Sequence, residues 1–126
     1  MVLFDMNEKA RTIVFQGKIP LIEAGAEELL TEVLGKNLFV SSEKKVNPES
    51  YFVIIVVGTP VGDHVNPKFT IFKNFFDEIM DMIGNDQHVI LRNTVFPGTT
   101  EKIKAHIESK GKLTRVSYCP ERIVQG

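Results

Sequence analysis

Four short polar segments contain the residue types that could bind a ligand or perform chemistry. They are Asp5, Gly58-Thr59-Pro60, the segment 93–100 (NTVFPGTT) and the segment 119–122 (CPER). Each segment directly follows a run of β-branched or aromatic residues, which is typical of a strand. Because open parallel sheets bind ligands beyond the carboxyl ends of their strands, this pattern predicts one shared crevice.

Glu121 is the best candidate for acid–base catalysis, because it follows Pro120 at a strand end where the backbone is restrained. Arg122 beside it is a candidate ionic partner that keeps the carboxyl group charged. Thr94 and the turn 97–100 place hydroxyl groups and a helix N-terminus at the same edge, which favours an anion. The alternative for this turn is ordinary helix capping by Thr99.

Asp5 and the Gly58-Thr59-Pro60 turn are candidates for ligand binding. A carboxylate at Asp5 can accept hydrogen bonds from both hydroxyl groups of a ribose diol, and the alternative is a turn or capping residue. Gly58 lets the backbone turn tightly beside a ligand, and the Thr59 hydroxyl group can donate or accept; the alternative is an ordinary turn that includes Pro60.

The remaining reactive side chains predict no metal site and no thiol chemistry. Cys119 is the single cysteine, and no histidine adjoins it to activate the thiol as a nucleophile. The three histidines, His64, His88 and His106, have no spacing typical of metal ligands. A lone cysteine forms no internal disulfide, so we expect the reducing cytoplasm.

The elements that must position these segments alternate between strands and helices. We predict strands at 2–4, 38–40, 51–57, 89–91 and 115–118, with helices at 7–17, 26–34, 69–83 and from Thr99 to Gly111. The run 51–57 does not alternate, which predicts a strand covered on both faces. The aromatic stripe of the helix 69–83 is interpreted as core. This order indicates an α/β fold with a doubly wound parallel sheet.

Size and charge exclude several classes of partner. The chain has 126 residues and a formal net charge of −1, which argues against nucleic acid and anionic membranes. Its longest apolar run, 52–57, is far shorter than the ~20 residues of a membrane span. The N-terminus has no basic segment followed by a long apolar run, so the sequence shows no signal peptide.

Taken in order, these segments resemble the UDP-glucose and UDP-N-acetylmannosamine dehydrogenase family, with the 118–123 segment most like the N-acetylhexosamine branch. The chain departs from the family pattern at four positions. Alanines stand at 24 and 26 where proline and leucine are usual, asparagine at 93 where serine is usual, and glutamine at 125 where the UDP-glucose branch has a second glutamate. The resemblance covers nearly the whole chain. The matching segments are 4–7 (FDMN), 17–20 (GKIP), 25–30 (GAEELL), 57–60 (VGTP), 94–101 (TVFPGTTE) and 118–123 (YCPERI).

The resemblance implies a cytoplasmic oxidoreductase of polysaccharide biosynthesis that uses NAD and a UDP-sugar substrate. Such enzymes oxidise the sugar C6 hydroxyl group to a carboxylate in two NAD-dependent steps, through an aldehyde and a cysteine thioester. The resemblance implies that Asp5 binds the adenosine ribose, that Gly58, Thr59, Pro60 and Thr94 line the cofactor cleft, and that Thr94 and Glu121 stand near the reacting carbon.

The family's first strand, with its glycine-rich pyrophosphate turn, has no counterpart here, and neither does its catalytic cysteine. We therefore expect residues 1–126 to be a partial NAD-binding domain with a Rossmann-like sheet that lacks its first strand, inactive alone. Unpaired strand edges predict self-association, strand rearrangement or disorder of the first ~35 residues, and a homo-oligomer. The alternatives are a non-catalytic remnant that binds a nucleotide or a partner, and a hydroxyacid dehydrogenase, which fits Asp5 but not Pro120-Glu121-Arg122.

Overall fold

The computed structural model describes residues 1–20, 23–57 and 69–122. Over these ranges strands and helices alternate, and every paired strand runs parallel to its partner. Over the described residues the chain divides into two compact units, Met1–Lys45 and Val46–Arg122. The α/β fold class with parallel sheets is confirmed.

The first unit contains β1 (Val2–Leu3), α1 (Glu8–Phe15), α2 (Ala26–Val33) and β2 (Phe39–Val40). Strand β1 pairs with β2. Asn7 caps α1 as predicted, since its side-chain oxygen accepts hydrogen bonds from the backbone N–H groups of Lys9 at 3.0 Å and Ala10 at 3.3 Å. Gly17 follows α1 with φ of +75°, a left-handed conformation that favours glycine at a helix end.

The second unit contains β3 (Phe52–Ile55), α3 (Phe69–Ile79), β4 (His88–Leu91), α4 (Thr99–Ser109) and β5 (Arg115–Tyr118). A 3₁₀ turn, Met80–Met82, extends α3. The strand order is β3-β4-β5, with Ile55 opposite Leu91 and Leu91 opposite Tyr118. The carboxyl ends of the three strands therefore lie level at one edge, as a ligand crevice requires.

The core of the second unit lies between the sheet and the two helices. Its fully buried side chains come from α3, the following turn, β4 and α4, and they confirm the predicted apolar stripe of the helix over 69–83. Non-local apolar contacts thus hold the three strand ends in register. The largest of these side chains are Phe76, Ile83, Leu91, Ile103, Ile107 and Val89.

The prediction that the strand over 51–57 is covered on both faces is wrong. Ile55 is only 4% exposed, but Phe52 and Ile54 are 52% and 51% exposed. Helices α3 and α4 both pack on the face that carries Ile55, Val89 and Leu91, and the opposite face of this sheet stays half exposed over the described residues. An unbroken apolar run is buried on both faces only where other elements cover both faces of the sheet. Over the described residues of the second unit, helices cover one face.

The prediction that Thr99 caps α4 is also wrong. The N-cap is Gly98, with φ of +81° and no side-chain cap hydrogen bond. Thr99 is the first helical residue and is 9% exposed. The left-handed backbone at Gly98 moves the helix start by one residue, so the threonine packs instead of capping.

Strand pairing over the described residues forms two sheets, β1-β2 and β3-β4-β5, so that β3 has β4 as its one partner there. This agrees with the expectation of open strand edges, while self-association stays a prediction. None of the described helices has the length and apolar character needed to cross a membrane.

Asp77 joins α3 to α4 through contacts of its carboxylate. Its carboxylate accepts hydrogen bonds from Lys73 Nζ at 2.7 Å and, on α4, pairs with His106 Nε2 at 2.8 Å, with Lys110 Nζ 3.6 Å away. These contacts, first Lys73 and then His106, lower the pKa of Asp77 from 3.8 to about 2.

We expect Asp77→Asn to destabilise the chain near neutral pH and to lose this effect in acid. Because the folded-state pKa is depressed, the stabilisation is complete above the unfolded value of 3.8 and disappears as the pH falls towards about 2. Urea unfolding between pH 6 and pH 2 measures it, with Glu108→Gln in the exposed Lys104 pair as the control. An unfolding difference that stayed constant over this range would contradict the prediction.

Candidate functional site

The carboxyl ends of β4 and β5 bring two of the predicted polar segments together. The backbone N–H of Cys119 donates to the carbonyl oxygen of Leu91 at 2.8 Å, and that of Glu121 donates to the carbonyl oxygen of Arg92 at 3.1 Å. The parallel pairing of β4 and β5 thus continues beyond both strands. Glu121 consequently lies beside the residue that follows β4, and the two segments form one site.

Glu121 forms an ion pair with Arg92, between Oε2 of the carboxylate and Nη2 of the guanidinium. The side chain of Arg92 is 34% exposed and that of Glu121 is 48% exposed, so the pair is open to solvent and to a ligand. The other carboxylate oxygen, Oε1, accepts a hydrogen bond from the backbone N–H of Arg122 at 3.1 Å. A charged carboxylate held at both oxygens can accept a proton from a hydroxyl group within hydrogen-bond reach.

Arg92 is the residue that the sequence analysis missed. The sequence predicts Arg122 as the ionic partner of Glu121, but Arg122 contacts the carboxylate through its backbone N–H, and the guanidinium that pairs with it is that of Arg92. The two paired residues are far apart in the chain, and only the β4-β5 pairing makes them neighbours. The available signal was a basic residue directly after the Val89-Ile90-Leu91 run.

Thr94 lies in the loop between β4 and α4 and is exposed. This loop starts at the same sheet edge as the segment that carries Glu121, so the two residues predicted to be catalytic come from adjacent strand ends. The threonine hydroxyl group can donate or accept a hydrogen bond at this edge.

Asn93, between Arg92 and Thr94, has a buried amide without a partner. Both its side-chain nitrogen and its side-chain oxygen are inaccessible to solvent and form no hydrogen bond with the described part of the chain. An unsatisfied buried polar group typically costs about 1–3 kcal/mol, which a native site tolerates where a ligand or another chain segment supplies the partner. The sequence showed this residue only as a departure from a usual serine.

Asp5 lies in the first unit, after β1, and is exposed. Its side-chain Oδ1 accepts a hydrogen bond from the backbone N–H of Asn7 at 2.7 Å, and its backbone oxygen accepts one from the Arg11 guanidinium. Asp5 therefore acts as a turn residue, which is one of the two alternatives that the sequence predicts for it. A carboxylate has further acceptor sites, so this turn leaves capacity for a ribose hydroxyl group.

The predicted cofactor residues Gly58, Thr59 and Pro60 lie outside the described residues. Cys119 is an exposed thiol at the end of β5. In the described ranges no three histidine, cysteine, aspartate or glutamate side chains are grouped so that they could hold a metal ion.

The whole chain, residues 1–126, matches the model of the UDP-glucose/GDP-mannose dehydrogenase family, NAD binding domain. The UDP-N-acetyl-D-mannosamine dehydrogenase of Methanococcus aeolicus is 31% identical over 127 residues, which is 97% of this chain but 28% of that protein. The chain therefore spans less than a third of the length of that relative.

Two solved structures are similar in fold to this chain. A UDP-D-ManNAc dehydrogenase from Pyrococcus horikoshii superposes with a TM-score of 0.85 at 26% identity, over 99% of this chain and 31% of that one. A ternary complex of GDP-mannose dehydrogenase from Pseudomonas aeruginosa gives a TM-score of 0.84 at 27% identity, over 98% and 31%. The resemblance carried by the short polar segments is thus confirmed over the full chain. This chain belongs to the UDP-glucose/GDP-mannose dehydrogenase family and corresponds to its NAD-binding domain.

Proposed function

We propose that residues 1–126 are part of the NAD-binding domain of an NAD-dependent UDP-N-acetylhexosamine 6-dehydrogenase, with a UDP-N-acetylmannosamine-like substrate. The observation that carries this proposal is Glu121, fixed by Arg92 at the carboxyl ends of β4 and β5, next to the loop that holds Thr94. A carboxylate at this edge of a parallel sheet can remove a proton from an alcohol in a bound ligand.

The described residues fit a nicotinamide dinucleotide in part. Asp5 is exposed after β1 and has acceptor capacity for a ribose hydroxyl group. NAD, when bound, supplies the hydride acceptor for alcohol oxidation. Gly58, Thr59 and Pro60 stay predicted cofactor-binding residues.

Glu121 and Thr94 have separate roles in this proposal. Glu121 would take the proton from the oxygen of the sugar C6 hydroxyl group in the step that oxidises C6. The hydroxyl group of Thr94 hydrogen-bonds the reacting oxygen and orients it. Both roles require only that the side chains reach the edge that β4 and β5 share.

The proposed substrate rests on the relatives and on one segment of the chain. Relatives named UDP-N-acetyl-D-mannosamine dehydrogenase come from Methanococcus aeolicus and Campylobacter jejuni, at 31% and 25% identity. The Pro120-Glu121-Arg122 sequence is more like that branch than the UDP-glucose branch. We also propose a cytoplasmic location and a homo-oligomer.

The test begins with the coding sequence on both sides of the codons for Met1 and Gly126. A glycine-rich strand-turn upstream and a cysteine-bearing domain downstream support the proposal. The protein encoded by that complete frame should then form NADH, followed at 340 nm, with UDP-N-acetylmannosamine. Stop codons on both sides, or no turnover with any UDP-sugar, would favour the alternative, a non-catalytic module that binds a nucleotide or a partner.

The isolated chain should bind NAD more weakly than about 1 mM, which corresponds to −4.1 kcal/mol. The described residues contain no glycine-rich turn of the kind that places a helix N-terminus against the pyrophosphate.

A further inference from the structure

We infer that Arg92 is a positioning residue for Glu121, holding the carboxylate in the orientation that proton transfer needs. This inference rests on the proposed function, because it assigns a supporting role within the same site. Two independent connections join the residues, the backbone hydrogen bond from Glu121 N–H to the Arg92 carbonyl oxygen and the ion pair between their side chains.

The backbone of Arg92 is anchored on both sides. Its N–H donates to the carbonyl oxygen of Ile55 at 2.9 Å, while its carbonyl oxygen accepts from Glu121 at 3.1 Å. Arg92 thus links the carboxyl ends of β3, β4 and β5. A side chain that extends from a backbone held between two neighbouring strands starts from a fixed position.

The guanidinium suits this role by its chemistry. It is planar, charged at every relevant pH, and presents several N–H donors in a rigid fork, so it restrains the direction of a carboxylate as well as its charge. Glu121 is a half-exposed side chain with three rotatable bonds after the end of β5. Arg92 and the Arg122 N–H bind opposite oxygens of the carboxylate, which restricts its rotation.

The ion pair acts on orientation more than on folding. Both side chains are a third or more exposed, and ion pairs in such positions contribute little to stability. The backbone hydrogen bonds of Arg92 do not involve its side chain, so glutamine or lysine at this position can form them as well. A substitution at Arg92 should therefore leave the chain folded while it removes the restraint of the guanidinium on the carboxylate.

The first experiment measures side-chain order in the chain itself. We expect Arg92→Gln to lower the ¹³C relaxation order parameter of the Glu121 side chain clearly, and Arg92→Lys to restore part of it. Arg115→Gln is the matched control, because Arg115 on β5 contacts the Tyr51 hydroxyl group rather than Glu121. If the order parameter of the Glu121 side chain were the same in Arg92→Gln and Arg115→Gln, the inference would be overturned.

The second experiment uses the complete dehydrogenase. Arg92→Gln should lower kcat about tenfold with KM for the UDP-sugar nearly unchanged, and Arg92→Lys should recover most of the loss. With Glu121→Gln already present, Arg92→Gln should have no further effect, since it acts through the carboxylate. If the wild type turns over and the Arg92→Gln variant has the same kcat, the inference about Arg92 is overturned and the proposed function stands. If the wild type shows no turnover, the proposed function is overturned.

Discussion

Phe76→Ala should destabilise the second unit by about 3–5 kcal/mol, the range typical of a large aromatic side chain deleted from a packed core. Phe76 is fully buried and belongs to the cluster that includes Ile55, Leu91 and Ile107. Truncation leaves a cavity between α3 and the sheet, and small domains have few other contacts to offset it. Urea unfolding followed by circular dichroism measures the loss.

The matched control is Phe96→Ala in the same unit, because Phe96 is 42% exposed. Its truncation should change the free energy of unfolding by less than about 1 kcal/mol, as is usual for surface positions. If both alanine variants unfolded at the same urea concentration, the described packing of α3 on the sheet would be refuted. A variant at Phe76 that is unfolded without urea would agree with the prediction.

Glu121→Gln should lower kcat of the complete dehydrogenase by about 10²–10⁴-fold, the usual contribution of a positioned general base. Glutamine keeps the size of the side chain and can still accept a hydrogen bond from Arg92, but it cannot take a proton at neutral pH. KM for the UDP-sugar should change much less, because the lost interaction belongs to the transition state. Steady-state NADH formation at 340 nm gives both constants.

Glu101→Gln on the exposed part of α4 provides the control for a change of charge in the same unit. It should leave kcat within twofold of the wild type. A Glu121→Gln enzyme with similarly unchanged kcat would exclude Glu121 as the acid–base residue.

The sequence was most informative where local chemistry determines structure. Asn7 before a helical apolar pattern predicted the capped α1, and the periodicity of residues 69–83 predicted the buried stripe that includes Phe76. The strand 115–118 was predicted with its observed bounds. Capping and amphipathic periodicity depend on residues a few positions apart, so they can be read directly from the chain.

Two predictions were wrong because the structure depends there on a backbone conformation and on which face of the sheet the helices cover. Thr99 has the residue type of a cap, but the left-handed backbone of Gly98 takes the cap position. The residues of β3 are apolar without alternation, but Phe52 and Ile54 stay half exposed because α3 and α4 pack on one face of the sheet. A pattern of residue types does not specify which faces other elements cover.

The candidate site shows the same division. By itself the sequence determined the parallel α/β class, the family through its ordered polar segments, and Glu121 as the carboxylate at a strand end. Only the tertiary structure decided that Arg92, rather than the adjacent Arg122, is the ionic partner of that carboxylate, and that the Asn93 amide is buried without a partner over the described residues. The physical reason is that ion pairs and burial depend on contacts between residues distant in the chain, which the β4-β5 pairing creates.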